Sequence, residues 1–315
     1  MIHTICFFNH WHNGDVFSGK GYMQDIIQQM PNMKFQHAQL NSLKSMSDLP
    51  CEHIHTDKLP GAINHNIRYV DIDGVLYINT WVGCYGNAVI PPGEHHANWR
   101  SLLRMWTHIM QTIKLSIAPD LVLPGEDGQT DLITYMPETN WSVYNIEPAL
   151  QFLGQHNRVA LFCNGLVRST QSHIGLMDGV LEQLCHDFPD VSFVCTSRFD
   201  SKSQKNLYFT DDIFAGVENG DINEIAFLST RCEIIVGKNS GPFMFTHVKE
   251  NILDPNKAFF SLSHRPSDSY AHACNGLPCR YYHYSEESIA SITGYIRQAM
   301  QERGQVSSGE MVIYD

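Results

Sequence analysis

Residues 12–23 read HNGDVFSGKGYM, and Gly14-x-x-x-x-Gly19-Lys20 within them matches a phosphate-binding loop in all but its last letter. That loop requires Ser or Thr after the lysine, because the hydroxyl ligates magnesium. Gly21 stands there instead. Such a loop also leaves its strand at the first glycine, whereas His-Trp-His-Asn intervenes here, and no second-strand aspartate site follows. Gly19-x-Gly21 opens a dinucleotide fingerprint whose third glycine is replaced by Gln24. Nucleoside triphosphatase chemistry is therefore disfavoured, and a flexible turn before a helix is the plain alternative.

Other groups are placed for chemistry elsewhere. In CNGLVRSTQS (163–172), Asn164, Arg168, Ser169 and Thr170 follow an apolar run, where a strand of an α/β sheet would present ligand contacts. A guanidinium at Arg168 can fork two phosphate oxygens. Farther on, EIIVG is followed by Lys238, Asn239, Ser240 and Gly241, a strand-to-helix turn with Ser240 as N-cap. Unpaired N–H groups at such a turn attract anions. Lys20 and Lys238 are weaker cationic candidates, since a loop lysine is usually only solvated.

The 17 histidines raise the question of a metal. Cys51, His53 and His55 alternate in CEHIH and would share one strand face; His10-Trp-His12 and His95-His96 could add ligands. No H-E-x-x-H or C-x-x-C spacing accompanies them, so no metal site is expected. The aromatics of INTWVGCYGN (78–87) could form a sugar platform, with core packing the competing role for Trp81.

These groups need a scaffold, and the sequence implies an α/β one. RVALFCNG, VSFVCTS, EIIVG and AFFSLS read as buried strands. Helical periodicity in SHIGLMDGVLEQLCHDF and DINEIAFLSTR separates them, which implies a parallel sheet covered on both faces. The first half starts alike: HTICFFN as a strand, HWHNGD as a loop, GYMQDIIQQM as a helix stopped by Pro31. Residues 35–80 read as short strands and turns, with a hairpin through Asp73-Gly74. NWRSLLRMWTHIMQTIKLSI is a long amphipathic helix, 198–210 a polar loop, and SEESIASITGYIRQAMQERG a last helix. The expected organisation is an amino-terminal domain over 1–140, a second over 158–284, and 285–315 packing back on the first.

Charged residues make up 17% of the chain and the net charge is -12, a globular composition without general affinity for nucleic acid or anionic lipid. The amino terminus lacks a basic lead with a long apolar run, no apolar stretch is long enough to span a bilayer, and the cysteines show no disulfide spacing. A cytoplasmic protein without a transmembrane segment is expected.

Two stretches carry a family resemblance. The first strand followed by NGDV (13–16) resembles the short Gly-Asp motif of bacterial lipopolysaccharide heptosyltransferases. DINEIAFLSTRCEIIVGKNSGPFMF (221–245) resembles their acidic-led helix, strand and G-x-D-[ST]-G-P turn, with Asn239 in the usual aspartate position and Met244 near the usual histidine. These are GT-B glycosyltransferases, so the resemblance implies two Rossmann-like domains facing each other across a cleft. It further implies inverting, metal-independent and cofactor-free transfer of a sugar from a nucleotide-sugar donor to a hydroxyl of a glycan or lipid-linked acceptor. Asp15 matches the family's base, although the same position suits a helix-capping carboxylate. Asn164, Arg168, Ser169, Thr170, Lys238, Asn239, Ser240 and Gly241 would contact the donor; His10, His12, Asn13, Gly14 and Lys20 would line the acceptor side. A non-catalytic nucleotide- or sugar-binding protein and a nucleotide-sugar epimerase are the rival readings.

Overall fold

The computed structural model describes residues 1–90, 99–125, 132–165, 177–200, 204–216, 221–238, 240–263, 277–284, 288–302 and 311–314. They form two compact units, Met1–Thr139 and Asn140–Asp315.

The first unit is built on five strands: β1 (Thr4–Asn9), β2 (Lys34–Gln39), β3 (Glu52–His55), β4 (Tyr69–Ile72) and β5 (Val75–Asn79). Their order is β3-β2-β1-β5-β4, parallel except where β4 runs antiparallel to β5. The β4–β5 hairpin turns through Asp73 (φ 53°) and Gly74 (φ 79°), the paired positive angles of a tight two-residue hairpin. Three helices accompany the sheet: α1 (Asn13–Ser18), α2 (Lys20–Gln29) and α3 (Trp99–Ser116). Helix α3 buries Trp99, Leu102, Met105, Trp106, Ile109, Met110 and Ile113, a stripe at intervals of three and four. Each such side chain contributes about 1.5–3 kcal/mol of gross burial energy. Residues 10–15 do not form the continuous loop expected of HWHNGD, because Asn13 already begins α1 and only 10–12 link it to β1.

Residues 19–21, at the end of the apparent phosphate loop, are explained by packing. Gly21 faces the backbone of Tyr135, whose carbonyl oxygen would lie 2.0 Å from an added Cβ; at Gly19 the Trp106 ring would lie 2.6 Å away. These glycines admit Tyr22 into an aromatic stack, with ring centroids 4.4 Å from Tyr135 and 5.3 Å from Trp106. Lys20 between them is sealed in the interior. Its Nζ donates to Asp48 Oδ2 at 2.6 Å and to Thr139 Oγ1 at 3.0 Å, and both charged side chains are fully buried. Gly14 lies within α1, so no loop runs from it to the lysine.

The second unit comprises α4 (Glu147–Leu153), β6 (Val159–Cys163), α5 (Met177–Asp187), β7 (Ser192–Cys195), β8 (Leu207–Phe209), α6 (Thr210–Ile213), α7 (Ile222–Ser229), β9 (Ile234–Lys238), α8 (Gly241–Phe245), α9 (Lys249–Ile252), β10 (Ala258–Leu262), β11 (Arg280–Tyr284), α10 (Ile289–Gln301) and β12 (Met311–Tyr314). Its sheet is wholly parallel in the order β12-β11-β10-β9-β6-β7-β8. Strands β6, β7, β9 and β10 are apolar through nearly their whole length because both faces are covered. The stretch read as a polar loop over 198–210 contains β8 at the sheet edge. Helix α10 buries Ile292, Ile296, Ala299 and Met300 in the core formed by α5 and this sheet. Helix α10 carries an apolar stripe that this core absorbs, and β12 extends the second sheet.

Candidate functional site

In an open parallel sheet, chemistry gathers at the carboxyl ends of the strands where the order reverses. The second sheet reverses between β6 and β9, which pair through Cys163 and Gly237. Asn164 and Lys238 therefore sit side by side, with Ser240 and Gly241 just beyond. Asn164 is held by a reciprocal pair: its Nδ2 donates to Ser197 O at 2.8 Å, and Ser197 N donates to its Oδ1 at 2.9 Å. Its amide thus clamps the end of β6 to the end of β7.

Lys238 is half-buried, and desolvation lowers its pKa against the opposing pull of Asp178. Burial raises the Asp178 carboxyl, while Lys238 and the Asn164 amide draw it down. Asp178, in the first turn of α5, was missed by sequence reasoning, where it is one polar position on an amphipathic helix. Ser240 is the N-cap residue of α8 in extended conformation, but its side chain does not cap, and its buried Oγ has no hydrogen-bond partner in the protein. Pro242 in the first turn removes one of the amides that a capped turn would present, leaving the N–H groups of Gly241 and Phe243. Arg168, Ser169, Thr170 and Asn239 lie outside the described residues.

The first sheet reverses between β1 and β5. Past β1 come His10, Trp11 and His12, then Asn13, Gly14 and Asp15 in the first turn of α1. Asp15 is partly buried, and desolvation pushes its carboxyl up to about 6 from 3.8. The His12 ring and the backbone N–H groups of His12 and Asp15 pull the other way. Asp15 N donates to His12 O at 3.0 Å, and Ser18 Oγ donates to Asp15 O at 2.9 Å. The carboxylate thus occupies a helix first turn while holding a proton affinity suited to accepting one near neutral pH. His10 is half-buried, its pKa lowered by burial and by His65. Neither His10 Nε2 nor Asn13 Oδ1 has a protein partner.

Lys20, expected on the acceptor side, is corrected by its ion pair with Asp48: a fully buried ammonium is unavailable to a ligand. Glu52–His55 of the CEHIH stretch form β3; His53 Nε2 lies 3.9 Å from the Sγ of Cys51 just before it, and the His53 ring packs edge-on against His37. Among the described residues no group of three or more His, Cys, Asp or Glu side chains could hold a metal ion. His95 and His96 lie outside them. No helix among the described residues is long and apolar enough to cross a membrane.

No protein-family model matches the chain, and no curated protein matches it in sequence. Solved structures do. E. coli heptosyltransferase WaaC with ADP superposes with a TM-score of 0.53 at 10% identity, covering 96% of this chain and 100% of that one. A family 9 glycosyl transferase from Veillonella parvula gives 0.53 at 10%, over 98% and 93% of the two chains. E. coli ADP-heptose heptosyltransferase II gives 0.53 at 11%, over 95% and 99%. At such identity the likeness concerns architecture: the chain has the α/β fold of the GT-B heptosyltransferases, with two Rossmann-like units.

Proposed function

We propose that this protein is a glycosyltransferase that moves a sugar from a nucleotide-sugar donor to an acceptor hydroxyl, with inversion and without a metal. The observation that carries the reading is the reversal between β6 and β9, which brings Asn164, Lys238 and Ser240 to the edge where such folds bind nucleotides. A buried serine hydroxyl without a protein partner and, two residues earlier in the chain, a half-buried lysine are suited to a diphosphate leaving group. Asn164 acts as a positioning residue through its clamp on Ser197.

Asp15 takes the proton from the acceptor hydroxyl as that oxygen attacks the anomeric carbon and the nucleoside diphosphate departs. Its raised proton affinity supports the assignment. The second unit holds the donor and the first the acceptor, a glycan or lipid-linked sugar, with His10, His12, Asn13 and Gly14 on the acceptor side. Arg168, Ser169, Thr170 and Asn239 join the donor set by resemblance alone. Two structurally similar E. coli WaaC structures are described with ADP and with ADP-2-deoxy-2-fluoro heptose, which makes ADP-sugars the first donors to try.

The test is a thermal-shift panel of nucleoside diphosphates and their sugars. A ligand at 100 times its dissociation constant adds about 2.7 kcal/mol of stability. A shift for one nucleotide series, reduced in Lys238→Met, is expected. Absence of any shift across the panel would refute the donor site.

A further inference from the structure

One local device occurs twice at the carboxyl edge of the first sheet. Asn9 ends β1 and Asn79 ends β5, and each folds its amide oxygen back onto the N–H of a tryptophan two residues later. Trp11 N donates to Asn9 Oδ1 at 2.8 Å, and Trp81 N donates to Asn79 Oδ1 at 2.9 Å. Because β1 and β5 are parallel neighbours, the two turns deliver their indoles to the same place. The ring centroids are 4.7 Å apart with the planes inclined by 36°. His65 stands edge-on to Trp11 at 6.2 Å.

We propose that the Trp11–Trp81 pair is a platform for an uncharged pyranose ring of the acceptor. This rests on the glycosyltransferase reading and narrows it to a class of acceptor. The C–H groups on one face of a pyranose carry slight positive charge and meet the negative face of an indole, while its hydroxyls point outward to polar groups. His65, which is exposed, offers ring nitrogens for those hydroxyls.

Two observations favour a ligand over simple packing, and a third shows how Trp81 is seated. Trp11 is 37% exposed, an unusual position for a tryptophan whose backbone is fixed by its own turn. Its carbonyl is held as well, by Asn41 Nδ2 at 3.0 Å, so a rigid mount carries an open ring. Gly83 leaves room for the partner indole, since a Cβ there would lie 2.3 Å from the Trp81 ring. Charge argues for a neutral ring. The net charge of -12 gives the protein no general attraction for an anionic sugar, and Lys20 is neutralised by Asp48.

The test is saturation-transfer NMR on the full chain with methyl glucoside, methyl galactoside and methyl N-acetylglucosaminide, against glucose 6-phosphate and glucuronate. At least one neutral glycoside should receive saturation on the protons of one ring face. Affinity should fall about tenfold in Trp11→Ala and in Trp81→Ala, and persist in Trp11→Phe. Melting curves identify any variant that loses its fold, and Trp11, at the surface, is the one expected to keep it. No transfer to any neutral glycoside, binding confined to the two anions, or affinity unchanged in a folded Trp11→Ala would each overturn the platform. The nucleotide thermal shift is read in parallel. Its presence without glycoside binding sinks the platform alone, and its absence sinks the donor site.

Discussion

Asp15 offers a test whose first half, the stability measurement, needs no knowledge of the substrates. Its carboxyl titrates near 6 in the folded chain, against 3.8 when unperturbed, chiefly because the fold strips water from it. The folded state therefore binds the proton more tightly than the unfolded state. Stability attributable to this group is fully present below about pH 3.8, declines as pH rises through 3.8 to 6, and stays reduced above 6. The ceiling on the penalty is ~3 kcal/mol, and the part of the side chain that water still reaches brings it to about 1–2 kcal/mol. Asp15→Asn removes the charge but keeps the shape. Urea unfolding at pH 8 should find the variant about 1–2 kcal/mol more stable than the parent, and the advantage should vanish at acid pH. Turnover moves in the opposite direction. Loss of a general base lowers it by about 10²–10⁴-fold, measured as nucleoside diphosphate released from the sugar nucleotide that gives a thermal shift. In the parent, kcat/KM should rise with unit slope up to about pH 6. A variant that is no more stable at pH 8 and turns over within threefold of the parent would refute both the desolvated carboxylate and its role.

Lys20→Ala leaves Asp48 charged and buried, and should destabilise the first unit by about 3–5 kcal/mol in urea melts. The double variant Lys20→Met, Asp48→Leu should recover most of that loss, which a ligand-binding lysine would not allow. His37 and His247 are held neutral by burial, with pKa values lowered to about 3 and about 4. Their stabilisation is complete above pH 6.5 and lost as pH falls, by about 1.4 kcal/mol per pH unit for each below that point, until each folded value is reached. Thermal melts from pH 7 to 4 read the decline, and His247→Gln should flatten it. Ser240→Ala removes a hydroxyl without a protein partner, so melting should be little changed while nucleoside diphosphate affinity weakens several-fold.

Much of the second unit was legible because its inner strands are uninterrupted apolar runs. VALFC, SFVC, IIVGK and AFFSL each carry their own signal, buried on both faces. The outer strands do not: LYF and RYYHY contain too little apolar continuity, and their neighbours in the sheet decide their state. In the first unit β2 (KFQHAQ) is half polar, and α1 hides behind Asn13 and Gly14, which read as turn residues. Lys238 and Ser240 could be singled out because they follow a recognisable strand, and Asp15 because NGDV resembles the heptosyltransferase Gly-Asp motif. The meeting of Trp11 with Trp81, 70 residues later, depends on the pairing of β1 with β5, which no local pattern encodes. Lys20 misled for the complementary reason: its buried partner Asp48 lies 28 residues away across the unit.

The five tryptophans occupy three kinds of surroundings. Trp99 and Trp106 are fully enclosed beside Tyr22, Trp11 and Trp81 form the open pair, and Trp141 rests edge-on against Phe227 in the second unit. The molecule thus contains its own optical labels. A collisional quencher such as acrylamide should darken Trp11 long before it touches the enclosed couple, and the near-ultraviolet dichroism of the Tyr22 laminate should disappear only when the first unit melts. Occupancy of one edge and integrity of one core can then be followed in the same cuvette without attaching a dye.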